Sequence, residues 1–184
     1  NGKNPGSSGT RDATGNMNIR LENNSDIYQI ENIHNQAFNN PDESKIVNKL
    51  RGNNNLTLSL VGEIDESLIG HIAYSPILNG YQEPIGIGLG PVGVIPAFQN
   101  QGIGSHLIEK GNKDVIKMGF DKIFVLGDPK YYSRFGFELA KDYNYFCDFD
   151  PKGNHFMILE PNKKRSEKTT VYYRDEFSRP RKSL

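Results

Sequence analysis

The chain has 184 residues, and its 22 lysines and arginines balance its 22 aspartates and glutamates, so the net charge is about zero. A neutral chain gives no electrostatic reason to expect nucleic acid or an anionic membrane as a partner, because both favour basic surfaces. The single cysteine, Cys147, excludes an intrachain disulfide and a cysteine-based zinc site, and we expect no metal. We predict a cytoplasmic protein, because the sequence contains neither an apolar run of about 18 residues nor a secretory leader.

Recognisable patterning begins at residue 17. Residues 1–16 contain almost nothing that could enter a core, so we predict a tail there and one domain over residues 17–184. Hydrophobic periodicity in the first half of this domain predicts a strand, two helices and a pair of strands joined by a tight turn. These elements correspond in order to residues 17–23, 27–38, 42–50, 56–64 and 67–78.

The second half of the domain begins with an apolar, glycine-rich run over residues 84–96. It predicts a buried strand with a bulge, because Pro91 has no amide to donate and glycines are typical of bulges. A helix at residues 103–118 and a short buried strand at residues 122–127 are predicted next. A helical turn that starts at Asp128 and Pro129 follows, and then three strands near residues 145–149, 155–159 and 169–177. This order predicts a mixed α/β domain whose sheet contains antiparallel hairpins and at least one parallel crossover.

Two glycine patterns suggest ligand sites, and the first is a decoy. Gly88, Gly90 and Gly93 match the G-x-G-x-x-G pattern of dinucleotide-binding proteins, but that pattern must follow a strand and open a helix. Here it lies inside the predicted strand and contains Pro91. We therefore interpret these glycines as bulge residues. A nucleotide-binding enzyme stays open as an alternative function, and it would use the second glycine pattern, described next.

The second pattern, QNQGIGS at residues 99–105, lies between a strand and a helix. Backbone amides at the start of a helix carry partial positive charge and bind anions. Glycine also permits a bulky ligand to approach the backbone closely. The loop therefore predicts an anion site, with a plain strand-to-helix turn as the structural alternative.

Two longer stretches resemble the GNAT family of acetyl-CoA-dependent acyltransferases. VGVIPAFQNQGIGSHLI resembles the family's motif A, whose loop reads Gln/Arg-x-x-Gly-x-Gly/Ala, and Gln99, Gly102 and Gly104 fill those positions. YYSRFGF resembles motif B, in which a tyrosine, here Tyr132, precedes Gly-Phe by four residues. The longer LGDPKYYSRFGF is similar to a YhbS-like bacterial subgroup of the family.

This resemblance implies a GNAT-like fold, an α/β arrangement with a mixed central sheet, a bulged strand and flanking helices. It also implies a V-shaped opening between the strands at residues 87–95 and 122–127. Acetyl-CoA is the implied cosubstrate, with the amide of Val92 or Gly93 polarising the thioester carbonyl. The implied cofactor-binding residues are Val92, Gly93, Val94, Gln99, Asn100, Gln101, Gly102, Ile103, Gly104 and Ser105.

The implied reaction is N-acetyl transfer from acetyl-CoA to a primary amine, by direct attack in a ternary complex. The resemblance assigns the proton donor for the departing thiolate to Tyr132, with Tyr131 as the second choice. The base stays open, because residues 85–95 contain no acid. His71 is a candidate base or a core residue, and Asp128 is explained by its capping position.

Several functional questions stay open at this point. The sequence names no acceptor, so a small-molecule amine and a peptide or protein amine both stay open. A late strand with an exposed edge leaves a homodimer open. The alternative function from another class is a non-catalytic sensor domain that binds acyl-CoA.

Overall fold

The computed structural model describes residues 16–160, 162 and 166–178, so the predicted tail lies outside the described residues except for Asn16. The helices are α1 (Ile27–Phe38), α2 (Asp42–Gly52), α3 (Ile103–Lys117) and α4 (Pro129–Tyr132). The strands are β1 (Asn18–Leu21), β2 (Leu58–Ile64), β3 (Ser67–Leu78), β4 (Pro84–Val94), β5 (Ile123–Leu126), β6 (Glu138–Leu139), β7 (Tyr145–Cys147), β8 (Phe156–Leu159) and β9 (Thr169–Val171). Within these residues, no helix combines the length and apolar character that a membrane span requires.

The main sheet has seven strands in the order β1-β2-β3-β4-β5-β8-β6. Its neighbouring strands are antiparallel except for β4 and β5, which are parallel and are connected through α3. This arrangement confirms the predicted mixed sheet with antiparallel hairpins and a parallel crossover. β7 and β9 form a separate two-stranded parallel sheet.

Helices cover both faces of the main sheet. A Cβ at Gly70 on β3 would contact Leu107 and Ile103, so this face of the sheet packs against α3. A Cβ at Gly93 on β4 would contact His34 and Ala37, so the opposite face packs against α1. Since side chains alternate between faces along a strand, neighbouring residues of β4 point to different helices.

β4 contains the predicted bulge. Ile72 of β3 pairs with Val92 and Tyr74 pairs with Leu89, so two steps along β3 match three steps along β4. The extra residue falls at Gly90 and Pro91, where Gly90 has φ of 134°, a value that side chains rarely tolerate.

The bulge is followed by the predicted opening between β4 and β5. These strands pair only at Ile87 with Ile123 and at Gly88 with Phe124, and beyond Gly88 they separate. The backbone of β4 from the bulge to Val94 therefore has β3 on one side and the opening on the other.

The last part of the chain differs from the prediction in detail. The strand predicted over residues 169–177 ends at Val171, and a short 3₁₀ turn, Asp175–Phe177, follows it. The sequence does not predict β6, because two residues are too few to display a periodicity.

An ion-pair network fixes the first strand to the start of α1. Asp26 is buried and accepts hydrogen bonds from Arg20 at 2.7 and 3.0 Å and from the Asn23 amide at 2.8 Å. Arg20 also donates to Glu63 of β2 at 2.8 Å. The hydrogen bonds from Arg20 lower the pKa of Asp26, and the one from Asn23 adds to the effect.

Asp26→Asn should therefore lower the free energy of unfolding by about 1–3 kcal/mol at neutral pH, because it removes a charged hydrogen-bond acceptor from a buried site. Since the folded-state pKa of Asp26 is depressed, its contribution is complete above the unfolded pKa of about 4 and is lost as the pH falls through the folded value. Denaturant titrations of both proteins across acidic pH should show the difference shrinking. Asp65→Asn, at an exposed turn position with φ of 48°, is the control that should cost nothing measurable.

Candidate functional site

The loop between β4 and α3 has the geometry of an anion site. Gly102 precedes the first turn of α3 with φ of 81°, and Asn100 has φ of 61°. The first intrahelical bond runs from the His106 amide to the Gly102 carbonyl at 3.0 Å. The amides of residues 103–105 therefore have no acceptor within the helix and lie at its positive end.

A pocket of about 470 Å³ lies against this loop. Its volume is within the range of small-molecule sites. Its lining includes seven of the predicted cofactor-binding residues, namely Val94, Gln99, Asn100, Gly102, Ile103, Gly104 and Ser105. Phe98, Tyr131 and Arg134 complete it. The predicted residues Val92, Gly93, Gln101 and Tyr132 are not among those that line the pocket.

Two glutamine side chains hold the loop in place. The Gln99 side-chain amide donates to the carbonyl of Val94 at 2.9 Å, and that of Gln101 donates to the carbonyl of Ala97 at 3.3 Å. Gln99 thus occupies a backbone carbonyl at the end of β4. The side chains of both residues therefore have a structural role, which leaves the backbone amides at the start of α3 as the groups of this loop that could accept an anion.

The backbone of β4 presents alternate amides to the opening. The Ile95 amide donates to the Ile69 carbonyl at 2.9 Å, so it points toward β3. Because amides alternate in direction along a strand, the Gly93 amide also points toward β3, whereas those of Val92 and Val94 point toward the opening. Of the two amides predicted to hold the thioester oxygen, Val92 has the required direction.

Tyr131 and Tyr132 have different environments. The hydroxyl oxygen of Tyr131 lies 3.1 Å from Ser105 Oγ in the pocket, and Arg134 lies over its ring at 4.6 Å from the centroid. Tyr132 is buried at 9 % exposure, and burial raises its pKa to about 12. Its ring lies where a Cβ at position 127 would be, 2.2 Å from Tyr132 Cε2, so glycine at 127 makes room for it.

Asp128 and Cys147 have structural explanations. Asp128 accepts a hydrogen bond from the Lys130 amide at 3.0 Å, which is its capping role. Cys147 is buried, and burial raises the pKa of its thiol to about 11. In residues 16–160, 162 and 166–178, no group of three potential metal ligands was found.

His71 is buried on the face that packs against α1, and it is paired with a histidine that sequence reasoning did not select. His34 Nε2 lies 2.7 Å from His71 Nδ1, and both rings have no solvent exposure. The sequence placed His34 on the apolar face of α1, and no spacing rule connects positions 34 and 71. Arg134 was also missed, although it lies within the motif that contains Tyr132.

Comparison with known proteins identifies the family. Residues 27–137, more than half of the chain, match the model of the Acetyltransferase (GNAT) family. This chain belongs to the GNAT family. Membership confirms the predicted family, fold and acyltransferase class.

GNAT relatives also match over most of the chain. An uncharacterized N-acetyltransferase, YhbS of Escherichia coli K12, is 31% identical over 166 residues, which are 89% of this chain and 99% of the relative. A crystal structure of E. coli YhbS in complex with CoA has a TM-score of 0.81 at 30% identity and covers 89% of this chain and 93% of its own. A GNAT acetyltransferase from Brucella melitensis in complex with acetyl-CoA has a TM-score of 0.76 at 36% identity, with 88% and 98% covered.

Proposed function

We propose that this GNAT protein transfers the acetyl group of acetyl-CoA to a primary amine by direct attack in a ternary complex. The observation that carries the proposal is the position of β4. At Val94 this strand lines the anion pocket, and at Val92 it presents an unpaired amide to the splayed opening. A single strand thus connects a site for the phosphates with a site for the thioester.

The pocket residues fit the pyrophosphate of CoA. Gly102 and Gly104 leave the start of α3 uncovered, so the amides of the first turn are accessible to a phosphate oxygen. Arg134 adds a full positive charge at the wall of the pocket. The relatives crystallised with CoA and acetyl-CoA support this assignment.

The opening fits the rest of the cosubstrate. The amides of Val92 and Val94 belong to half-buried residues and have no strand to pair with on this side, so they are available to a ligand that carries hydrogen-bond acceptors. The pantetheine arm carries amides and pairs with them like an added strand. The Val92 amide is then placed to donate to the thioester oxygen as negative charge develops there.

Tyr132 is the proposed proton donor to the departing thiolate. Its ring lies against Gly127, directly after β5, and the phenol is protonated at neutral pH, as a proton donor must be. Direct attack is favoured over an acyl-enzyme, because the thiol of Cys147 is buried with a raised pKa and so is a poor nucleophile.

Calorimetric titration with acetyl-CoA, CoA, NAD and ATP tests the ligand class. We expect acetyl-CoA and CoA to bind, and neither NAD nor ATP to bind. A panel of primary amines, including polyamines, amino acids, aminoglycosides and peptides, then tests transfer by following the release of free thiol. Binding without thiol release from any amine would favour the sensor alternative, and absence of CoA binding would contradict the whole assignment.

Gly104→Leu should weaken CoA binding at least about tenfold, equivalent to about 1.4 kcal/mol, because a bulky side chain would fill the phosphate site. A Cβ alone at this position would lie 3.5 Å from the Tyr131 hydroxyl, an ordinary contact. Gly104→Ala is therefore the matched control and should bind CoA like the wild type. Leucine favours a helix more than glycine does, so α3 should not be destabilised. Unchanged affinity in the leucine variant would place the phosphates elsewhere.

Tyr132→Phe should lower kcat about a hundredfold and leave the affinity for acetyl-CoA nearly unchanged, as expected for a group that acts in the transition state. Tyr131→Phe is the matched comparison. It removes the contact with Ser105 in the pocket and should affect CoA affinity more than kcat. Steady-state rates and calorimetry on both variants separate the two roles. The reverse pattern would transfer the donor role to Tyr131.

A further inference from the structure

A chain of polar side chains crosses the protein from its surface to the bulged strand. Arg51 of α2 donates to both carboxylate oxygens of Glu22, at 2.7 and 2.9 Å. Ser59 of β2 donates to Glu22. The Ser59 hydroxyl oxygen lies 2.7 Å from His71 Nε2, and His71 Nδ1 lies 2.7 Å from His34 Nε2. Five residues that are far apart in sequence thus form one continuous hydrogen-bonded chain.

Glu22 determines the direction of every hydrogen bond in this chain. An ionised carboxylate paired with an arginine can only accept, so the Ser59 hydroxyl must donate to it. The hydroxyl oxygen then accepts from His71, which places the His71 proton on Nε2. His71 Nδ1 is left as an acceptor, so the proton of His34 must also lie on Nε2. A neutral imidazole with its proton on Nε2 has a bare lone pair on Nδ1.

The lone pair of His34 faces the bulged strand. His34 Nδ1 is buried and has no hydrogen-bond partner among the described residues. A Cβ at position 93 would lie 2.9 Å from it, so glycine at 93 lets the imidazole lie against the backbone of β4. Gly93 directly follows Val92, whose amide is the proposed oxyanion donor. A buried acceptor without a partner is costly and therefore requires an explanation.

We infer that His34 Nδ1 is the general base of the reaction, and that His71, Ser59 and Glu22 position it by fixing its tautomer. This inference rests on the proposed function and supplies the base that β4 itself lacks. Proton transfer to a base can be direct or through one water, and the bare lone pair lies next to the strand that holds the thioester.

The proton and electron transfers balance. The amine nitrogen forms a bond to the acyl carbon, and the proton that this nitrogen sheds goes to His34 Nδ1. The carbon–sulfur bond breaks, its electron pair goes to sulfur, and the thiolate receives a proton from Tyr132. As the products leave, His34 passes its proton to water that replaces them in the opening and Tyr132 regains a proton from it, which restores both groups. The products are an amide and CoA thiol.

The environment of the two histidines keeps them neutral before reaction. Burial lowers the pKa of His34 to about 4. Burial also lowers the pKa of His71 well below its usual value, and the neighbouring His34 and then the Arg51 charge lower it further. Among the described residues, Glu22, with a carboxylate oxygen 3.9 Å from His71 Nε2, and Arg51 are the charged groups that face the pair. From α1, Phe38 stacks on His34 at 5.9 Å, and from β4 the neighbour is Gly93, so neither contributes a charge.

Nitrogen-15 NMR of histidine side chains tests the tautomer in the full chain without any acceptor. Long-range couplings should show His34 and His71 each neutral with the proton on Nε2, assigned with His34→Gln and His71→Gln. In Glu22→Gln the side-chain amide at position 22 can donate a hydrogen bond to Ser59 as well as accept one, so His34 should become a mixture of tautomers. A proton on Nδ1 of His34 in the wild type would overturn the proposal.

Kinetic variants test the base independently of the tautomer. In His34→Gln the substituted amide can still donate to His71 Nδ1 but lacks a basic nitrogen. We expect this variant to lower kcat at least about a hundredfold, with acetyl-CoA affinity unchanged by calorimetry. Ser59→Ala removes only one hydroxyl and also interrupts the series of hydrogen-bonded side chains. It replaces Glu22→Gln in these measurements if that variant, which also loses the pairing with Arg51, does not fold.

A double-mutant cycle separates positioning from simple structural support. If Glu22 and Ser59 act only through His34, their substitution should lower kcat in the wild type and have no further effect in His34→Gln. Additive losses would refute the positioning role. Ile33→Val changes a buried residue of the same helix that takes no part in these side-chain hydrogen bonds. It should lower stability slightly and leave kcat unchanged.

These outcomes are distinguishable from failure of the proposed function. Rates are measured with the best amine of the panel and with water as the acceptor. If the wild type binds acetyl-CoA and transfers acetyl at a rate that His34→Gln equals, the base assignment fails and the transferase stands. If the wild type releases no thiol at all, the transferase fails, and no reaction remains for His34 to serve.

Discussion

The mismatch between β3 and β4 is the constraint on which the site depends. Between Leu89 and Val92, β4 advances three residues while β3 advances two, and β4 separates from β5 just beyond Gly88. A regular β4 would continue to pair with β5, and its amides would be satisfied within the sheet. Because the bulge interrupts that pairing, the amides of Val92 and Val94 are available to a ligand. Gly90 permits the backbone geometry, and Pro91 has no amide to lose.

Side chains of β4 point alternately to the two faces of the sheet, and the two faces have different proposed roles. Val94 faces α3 and belongs to the pocket at the start of that helix. Gly93 faces α1 and lies against His34. One residue step along the strand therefore separates the proposed cosubstrate contact from the proposed base. This explains why glycine is needed at 93, since a Cβ there would approach the imidazole too closely.

Local patterns predicted what depends on local sequence. The helices, the hairpin of β2 and β3, the bulge at Gly90 and Pro91, and the turn at Gly102 follow from periodicity and backbone preferences. The arrangement of β5, β8 and β6 depends on long-range pairing, and β6 is too short to have a pattern. The direction of the Val92 amide could not be known before the register of β4 was known. The chain from Glu22 to His34 was beyond sequence reasoning for a different reason, because each member alone has an ordinary explanation as a solvated acid, a strand serine or a core histidine.

The two residue pairs that join β4 to β5 have a mechanical consequence. In the part of the chain that the structure describes, they are the strand pairings between a half-sheet of β1 to β4 and a half-sheet of β5, β8 and β6. Side-chain packing in the cluster that contains Ile87, Ile123 and Val125 must therefore carry most of the connection. Such a seam is a natural boundary between cooperative units, across which local opening breaks few backbone hydrogen bonds. A molecule that filled the gap and paired with both strands would couple the two half-sheets, so that they would open together and no longer separately.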